Sequence, residues 1–156
     1  MVQFSKPVSD RYFEDYEPGV YEFDASVTVD EGEVIAFAKK YDPQPFHIDP
    51  VAAASGPFKG VIASGWHTAG MVMALLAEHY LSPVSAMASP GVDELRWPRP
   101  VRPGDTLRLR VSITDKRISR SKPDRGLVFS QVEGLNQHGD VVISFKAMNM
   151  TAVRPA

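Results

Sequence analysis

The sequence predicts an α+β domain in which one long helix packs on a curved antiparallel sheet. This prediction rests on the order of the elements along the chain. A strand and short helices come first, a strongly apolar stretch with helical spacing follows over residues 65–81, and about four strand-like stretches complete the chain. Because strands that follow one another through turns pair antiparallel, the later stretches are expected to form a sheet that packs on the long helix.

The composition is that of one globular domain without disulfides. The chain has 156 residues, of which 44% are hydrophobic and 23% charged, and it has no cysteine. This length can bury one core, so we expect residues 1–156 to form a single domain with an irregular arm over residues 1–19. The lack of cysteine excludes thiolate metal sites and cysteine nucleophiles. No stretch reaches the roughly 20 apolar residues that cross a bilayer, and no secretory signal is visible, so we expect a cytoplasmic protein.

The first elements follow from local signals. Residues 21–29 alternate apolar and polar side chains, as a half-buried strand does. Asp30, with Glu33 three residues later, is typical of a helix N-terminus and predicts a helix over residues 31–40. Three prolines within residues 41–50 predict a stiff loop. Asp49 and the proline after it predict a turn of helix over residues 50–54.

The second half contains the long helix and the sheet. Ser64 is the expected N-cap of the helix over residues 65–81, which is apolar around most of its circumference and is therefore expected to be buried. Strands are predicted over residues 92–97, 107–113, 127–136 and 141–153, with a hairpin-like turn at residues 137–140.

The stiff loop carries the candidate catalytic residues. Asp42 and His47 lie five residues apart in a segment that also contains Pro43 and Pro45. Histidine exchanges a proton near neutral pH, and a carboxylate beside it can do the complementary step. The spacing alone is also compatible with a helix cap and a surface histidine, so it predicts an acid–base pair only in combination with further signals.

Three motifs resemble the MaoC-like, or R-specific, enoyl-CoA hydratase family. The family loop Asp-x-Asn-Pro-(apolar)-His is matched by Asp42-Pro-Gln-Pro-Phe-His47. Gly60-Val-Ile-Ala-Ser-Gly65 is similar to the approach to the central helix of the family, and Pro98-Arg-Pro-Val-Arg-Pro-Gly-Asp-Thr-Leu107 to its turn into the long strands. The resemblance covers most of residues 10–150 and implies a hot-dog fold, in which the sheet wraps the helix over residues 65–81.

The resemblance also implies a reaction and its catalytic residues. Asp42 and His47 would hold one water molecule against the double bond of a 2-enoyl thioester, with His47 as the base and Asp42 as the proton donor, although the sequence itself leaves these two roles open. The backbone N–H of Gly65, at a helix N-terminus, would stabilise the charge on the thioester oxygen. The expected product is an (R)-3-hydroxyacyl-CoA, and the same residues would catalyse the reverse dehydration.

Four further residues are expected at the substrate. Gln44 stands where the family commonly has asparagine, and the longer side chain is expected to affect substrate choice or efficiency. Ser64 precedes the oxyanion glycine, Trp66 is expected to form a wall of an acyl pocket or a subunit contact, and His67 lies in the first helical turn. No histidine pair has the spacing of a metal site, so we expect no metal, and no cofactor beyond the coenzyme A of the substrate.

The expected partners are an acyl-CoA or an acyl carrier protein thioester, and a second copy of the chain in a homodimer or higher homo-oligomer. Net charge is −2, but residues 96–125 hold ten bases against three acids. Such a region can attract an anionic ligand. The alternative is that its strands carry arginine and lysine side chains that are only solvated. Four of these bases could bind the phosphates of coenzyme A or the acidic face of an acyl carrier protein, or could equally be exposed side chains without a ligand. They are Arg96, Arg99, Arg102 and Lys122. A nucleic-acid partner is not indicated, because no binding motif or aromatic ladder accompanies the bases.

Two other functions compete with hydration. A thioesterase of the same fold would hydrolyse the thioester, but such enzymes usually carry a carboxylate on the central helix, and residues 65–77 contain no acid. A non-catalytic module that binds acyl thioesters is the second alternative. The presence of both Asp42 and His47 argues against it.

Overall fold

The computed structural model describes residues 1–156 and contains a five-stranded sheet and one long helix. The elements are β1 (Gly19–Thr28), α1 (Glu31–Tyr41), α2 (Pro45–Ile48), α3 (Pro50–Ala54), α4 (Gly65–Leu75), β2 (Val92–Arg96), β3 (Thr106–Ile118), β4 (Arg125–Leu135) and β5 (Val141–Ala152). The strands lie in the order β1-β3-β4-β5-β2, and every neighbouring pair is antiparallel. The predicted α+β architecture is therefore confirmed. None of the helices has the length and hydrophobicity needed to cross a bilayer.

Helix α4 packs closely on the centre of the sheet. Val72 and Leu75 are buried against it. On β4, a Cβ atom at Gly134 would lie 2.8 Å from the side chain of Val72 and 2.7 Å from that of Ile143. Only a residue without a side chain fits there, so Gly134 sets the distance between helix and sheet.

The long helix differs from the prediction in two ways. After Leu75 it continues as a π-helix over Leu76–Tyr80, where the N–H of Leu81 donates to the carbonyl of Leu76 at 2.8 Å. The expectation that it is buried around most of its circumference is wrong, since Trp66 is 60% exposed and Met73 48% exposed. The sheet does not cover the whole helix, and these two side chains line a cavity beside β2 and β5.

The segment before α4 is more helical than expected. Residues 45–48 form a turn of helix inside the predicted loop, with Pro45 at the first position. Proline is compatible with that position because its missing N–H is not needed in the first turn. The helix over residues 50–54 is confirmed, and the Asp49 carboxylate accepts from the N–H groups of Val51 and Ala52 at 3.0 and 3.1 Å. The predicted cap of α1 is also present, since Asp30 accepts from the N–H of Glu33 at 2.9 Å.

The N-terminal arm lies across the C-terminal end of the long helix. The guanidinium of Arg11 donates to the carbonyl of His79 at 2.7 Å, and the buried hydroxyl of Tyr16 donates to the carbonyl of Tyr80 at 2.8 Å. The ring of Phe4 stacks on Tyr21 of β1 with 4.2 Å between ring centroids. The arm therefore supplies hydrogen bonds to carbonyl groups that the end of a helix leaves without partners.

Candidate active site

The imidazole of His47 is held in one orientation. His47 lies on α2 and is 5% exposed. Its Nδ1 atom lies 2.7 Å from the carbonyl oxygen of Ile62. A carbonyl oxygen only accepts hydrogen bonds, so Nδ1 carries a hydrogen and donates it. The N–H of Ile62 in turn donates to the carbonyl of Phe46 at 3.1 Å. These two contacts connect α2 to the segment that leads into α4.

The carboxylate of Asp42 accepts hydrogen bonds at both oxygens. Asp42 follows α1, and its backbone N–H donates to Ala38 at 2.8 Å. The hydroxyl of Ser64 donates to Oδ2 at 2.7 Å, and Nε2 of Gln44 donates to Oδ1 at 2.6 Å. These donors, Ser64 first, and the nearby His47 lower the pKa of Asp42 from its ordinary value, against the opposing effect of burial. Asp42 is therefore ionised at neutral pH.

Asp42 and His47 lie side by side. Nε2 of His47 lies 3.3 Å from Oδ2 of Asp42. Because Nδ1 of His47 is bound to the carbonyl of Ile62, Nε2 is the ring nitrogen that faces the carboxylate. A carboxylate and an imidazole at this distance can both contact one small group between them, so the arrangement is suited to acid–base chemistry.

Gly65 begins α4 beside this pair. As the first residue of the helix, it has an N–H without a partner inside the helix, at the positive end of the helix dipole. A Cβ atom at this position would lie 2.5 Å from the ring of Trp97, and the indole N–H of Trp97 donates to the carbonyl of Gly65 at 2.9 Å. The place of a side chain at residue 65 is thus already filled by Trp97, which explains the glycine by packing.

Asp42, His47 and Gly65 open into one cavity of about 500 Å³. The predicted residues in its lining are Asp42, Gln44, His47, Gly65 and Trp66. A second cavity of about 560 Å³, mostly apolar, lies between α4, β2 and β5. Trp66 contributes to both cavities, and its ring contacts that of Trp97 edge to face at 5.3 Å. The first cavity, which contains Asp42 and His47 and is called the polar cavity below, therefore adjoins the second, apolar cavity at this tryptophan.

Two of the predicted substrate-binding residues lie outside the lining of the cavity. Ser64 is fully buried, and its hydroxyl does not cap α4 as expected but donates to Asp42. The reason is that Asp42 offers it an ionised acceptor. His67 stacks on Phe37 of α1 with 4.8 Å between ring centroids, and its buried Nδ1 has no hydrogen-bond partner. Burial lowers the pKa of His67.

Sequence reasoning missed two aromatic residues of the cavity lining, Phe58 and Trp97. Of the four basic residues considered for phosphate binding, Arg99 lines the cavity, and Arg96, Arg102 and Lys122 do not. The composition of the turn-like motif over residues 98–107 does not show which of its side chains face a cavity.

The sequence and fold of this chain are similar to those of several known proteins. Residues 16–132 match the MaoC like domain family. The crystal structure of a MaoC-like dehydratase from Rhodospirillum rubrum is 38% identical, with a TM-score of 0.86, over 94% of this chain and 100% of that one. The (R)-specific enoyl-CoA hydratase of the same organism is 31% identical over 66% of this chain and 69% of its own length. For other curated relatives the chain spans less of their length, 33% in one case and 64% in another.

The fold has a further parallel in a Mycobacterium tuberculosis protein described as a double hotdog fold. That structure is 21% identical, with a TM-score of 0.80, over 95% of this chain and 46% of that one. At this identity the likeness concerns the fold alone, and it agrees with the predicted hot-dog architecture. The chain belongs to the MaoC-like dehydratase family, a family of acyl-thioester hydratases and dehydratases.

Proposed function

We propose that this protein adds water to a 2-enoyl-CoA to form the (R)-3-hydroxyacyl-CoA, or catalyses the reverse dehydration. The observation that carries the proposal is the 3.3 Å distance between Nε2 of His47 and Oδ2 of Asp42, in a cavity that also contains Gly65. Hydration needs a base for the water, a proton for C2 and a donor for the thioester oxygen. The three residues supply one group for each need.

In the proposed hydration, a water molecule held by the pair attacks C3 of the double bond. One group of the pair takes a proton from the water while the other delivers a proton to C2. Negative charge develops on the thioester oxygen, where the N–H of Gly65 and the helix dipole stabilise it. The proton gained by one group then returns to the other across the short Nε2–Oδ2 distance, which restores the starting state.

The contacts around Asp42 favour an assignment of roles opposite to the one the family resemblance implies. An ionised Asp42, which accepts from Ser64 and Gln44, is suited to take the proton of the water. His47, with Nδ1 bound to Ile62, then supplies the proton from Nε2 to C2. We therefore propose Asp42 as the base and His47 as the donor in hydration, and the reverse in dehydration.

The two cavities suggest how the substrate lies. We propose that the thioester occupies the polar cavity and that the acyl tail passes Trp66 into the apolar cavity. Arg99 in the wall of the polar cavity is 60% exposed and has only a long contact, 3.8 Å, with Asp140. It is thus available for a phosphate of coenzyme A or an acidic group of a carrier protein.

A homodimer belongs to the same proposal. Strand β2 lies at an edge of the sheet and pairs only with β5. An unpaired strand edge is a surface on which a second strand can add. Large apolar side chains are exposed nearby, among them Trp66, Met73 and Val92. Light scattering coupled to size-exclusion chromatography gives the mass directly, and a monomer at all concentrations would contradict this part.

The proposal is tested with crotonyl-CoA. Wild type should remove the ultraviolet absorbance of the enoyl thioester without releasing free thiol. Asp42→Asn and His47→Ala should each lower the rate by about 10²–10⁴-fold, the usual contribution of a positioned acid or base. Asp105→Asn is the control, because this aspartate accepts hydrogen bonds at a turn outside the cavity. Release of thiol would instead favour hydrolysis.

Hydrolysis is a weaker candidate for a structural reason. Helix α4 carries no acid, and the first one beyond it, Glu78, is exposed in the π-helical extension. A panel of enoyl and hydroxyacyl thioesters that all bind but do not react would favour the non-catalytic module. Both outcomes are distinct from hydration in the same assay.

A further inference from the structure

We propose that Gln44 is a positioning residue that holds Asp42 ready as the base, rather than a residue that binds substrate. This inference rests on the proposed function for its role in turnover. Nε2 of Gln44 lies 2.6 Å from Oδ1 of Asp42. The longer side chain, which stands in place of the asparagine common in the family, is therefore committed to the carboxylate two residues before it.

The two carboxylate oxygens of Asp42 have different contacts. Oδ1 is held by Gln44, while Oδ2 faces both Ser64 at 2.7 Å and His47 at 3.3 Å. A carboxylate held by a donor at each oxygen cannot rotate without losing one of them. Gln44 thus fixes the plane of the group and keeps Oδ2 directed at the imidazole.

The same bond also favours the ionised form of Asp42. Donors to a carboxylate stabilise its charge, and Gln44 is the second donor after Ser64 that lowers the pKa of Asp42. Few other charges act on Asp42. His47 on α2 is its charged neighbour, Arg99 lines the same cavity, and His67 on α4 stacks on Phe37 instead. Loss of the Gln44 donor should therefore raise the pKa of Asp42.

The chain offers variants that separate these effects. Gln44→Met keeps the length of the side chain without its donor, and Gln44→Glu places a second negative charge against Oδ1. Gln44 is exposed, so neither change affects the core. Gln137→Met is a matched control, because Nε2 of Gln137 also donates to an aspartate, Asp105, at 2.9 Å, but at a turn outside the cavity.

The experiment measures kcat and KM for crotonyl-CoA hydration against pH. In Gln44→Met we expect the acidic limb of the kcat profile to move to higher pH by about one unit, the effect of one hydrogen bond on a carboxylate. Gln44→Glu should move it further, while KM stays unchanged in both. Gln137→Met should show no shift. A raised KM with an unmoved limb would overturn the inference in favour of substrate binding, and an equal loss at every pH would show a merely structural role.

A second readout does not depend on turnover. Carbon NMR of the aspartate carboxyl groups, with Asp42→Asn to assign the signal, gives the titration midpoint of Asp42 directly. The midpoint should rise in Gln44→Met even if wild type hydrates no enoyl thioester, in which case the proposed function fails but this inference stands. An unchanged midpoint would overturn the inference while leaving hydration intact.

Discussion

The two ends of the long helix differ in whether their backbone groups, which have no partner inside the helix, are hydrogen-bonded to the rest of the protein. At the N-terminal end, the N–H of Gly65 lies at a cavity that also holds the ionised Asp42. At the C-terminal end, the carbonyl groups of His79 and Tyr80 accept hydrogen bonds from Arg11 and Tyr16. A helix leaves unpaired groups at both ends. Here one end opens to a cavity, and the other is closed by the N-terminal arm.

Gly65→Ala should have the largest effect, at the open end. The new Cβ would lie 2.5 Å from the ring of Trp97, so either the ring or the first turn of α4 must move. Displacement of the N–H that we propose as the donor to the thioester oxygen should lower kcat by about 10²–10³-fold. Rates with crotonyl-CoA measure this directly. Circular dichroism should show the helix retained.

A double variant tests the cause of that loss. Trp97→Ala removes the ring that the new methyl group meets, so Gly65→Ala combined with Trp97→Ala should be more active than Gly65→Ala alone. Trp97→Ala by itself supplies the reference rate. If the double variant is as inactive as the single one, the clash with Trp97 is not the reason for the glycine.

Tyr16→Phe should weaken the closed end without affecting catalysis. The buried hydroxyl of Tyr16 donates to Tyr80 and accepts from the N–H of Ser82 at 3.1 Å. Its removal leaves buried backbone groups with fewer partners, at a cost of about 1–3 kcal/mol in the free energy of unfolding. Urea denaturation measures the loss. Tyr41→Phe, at an exposed position near the open end, should be neutral, and a fall in kcat of Tyr16→Phe would contradict the separation of the two ends.

Ser64→Ala should change the pH dependence at the open end. Ser64 is the first cause of the lowered pKa of Asp42, so loss of its hydroxyl raises that pKa. As pH falls, Asp42 is then protonated sooner, and the acidic limb of kcat should move to higher pH by roughly one unit. Activity well above that limb should change little. Ser55→Ala, whose hydroxyl contacts only the carbonyl of Ala52, should leave the limb in place.

Trp66→Ala should give the smallest effect, on the choice of acyl chain. Trp66 lies where the polar and apolar cavities adjoin, so its removal should widen the passage between them. We expect the ratio of kcat/KM for a medium-chain enoyl-CoA to that for crotonyl-CoA to rise about tenfold, the scale on which pockets discriminate chain length. Val51→Ala, exposed and outside both cavities, is the control. An unchanged ratio would place the acyl tail elsewhere.

Local signals in the sequence determined most elements and marked Asp42 and His47 as candidates for acid–base chemistry. The cap at Asp30, the helix that begins after Asp49 and the turn at residues 137–140 depend on neighbours within a few residues, and the structure has all three. Asp42 and His47 lie in one short stiff segment, and the family resemblance was needed to favour an acid–base pair over a helix cap and a surface histidine. The resemblance then supplied Gly65, and the structure brings it to the same cavity.

Tertiary structure alone decided what surrounds that pair. Ser64 donates to a carboxylate 22 residues earlier in the chain instead of capping its own helix, and Trp97 covers a glycine 32 residues before it. The exposed side of α4 depends on how far the sheet extends around it. Local spacing does not encode such contacts, because they arise only when distant segments pack together. The sequence by itself therefore determined which titratable side chains lie close along the chain, and only the packing decided which donors surround them and which of them open into a cavity.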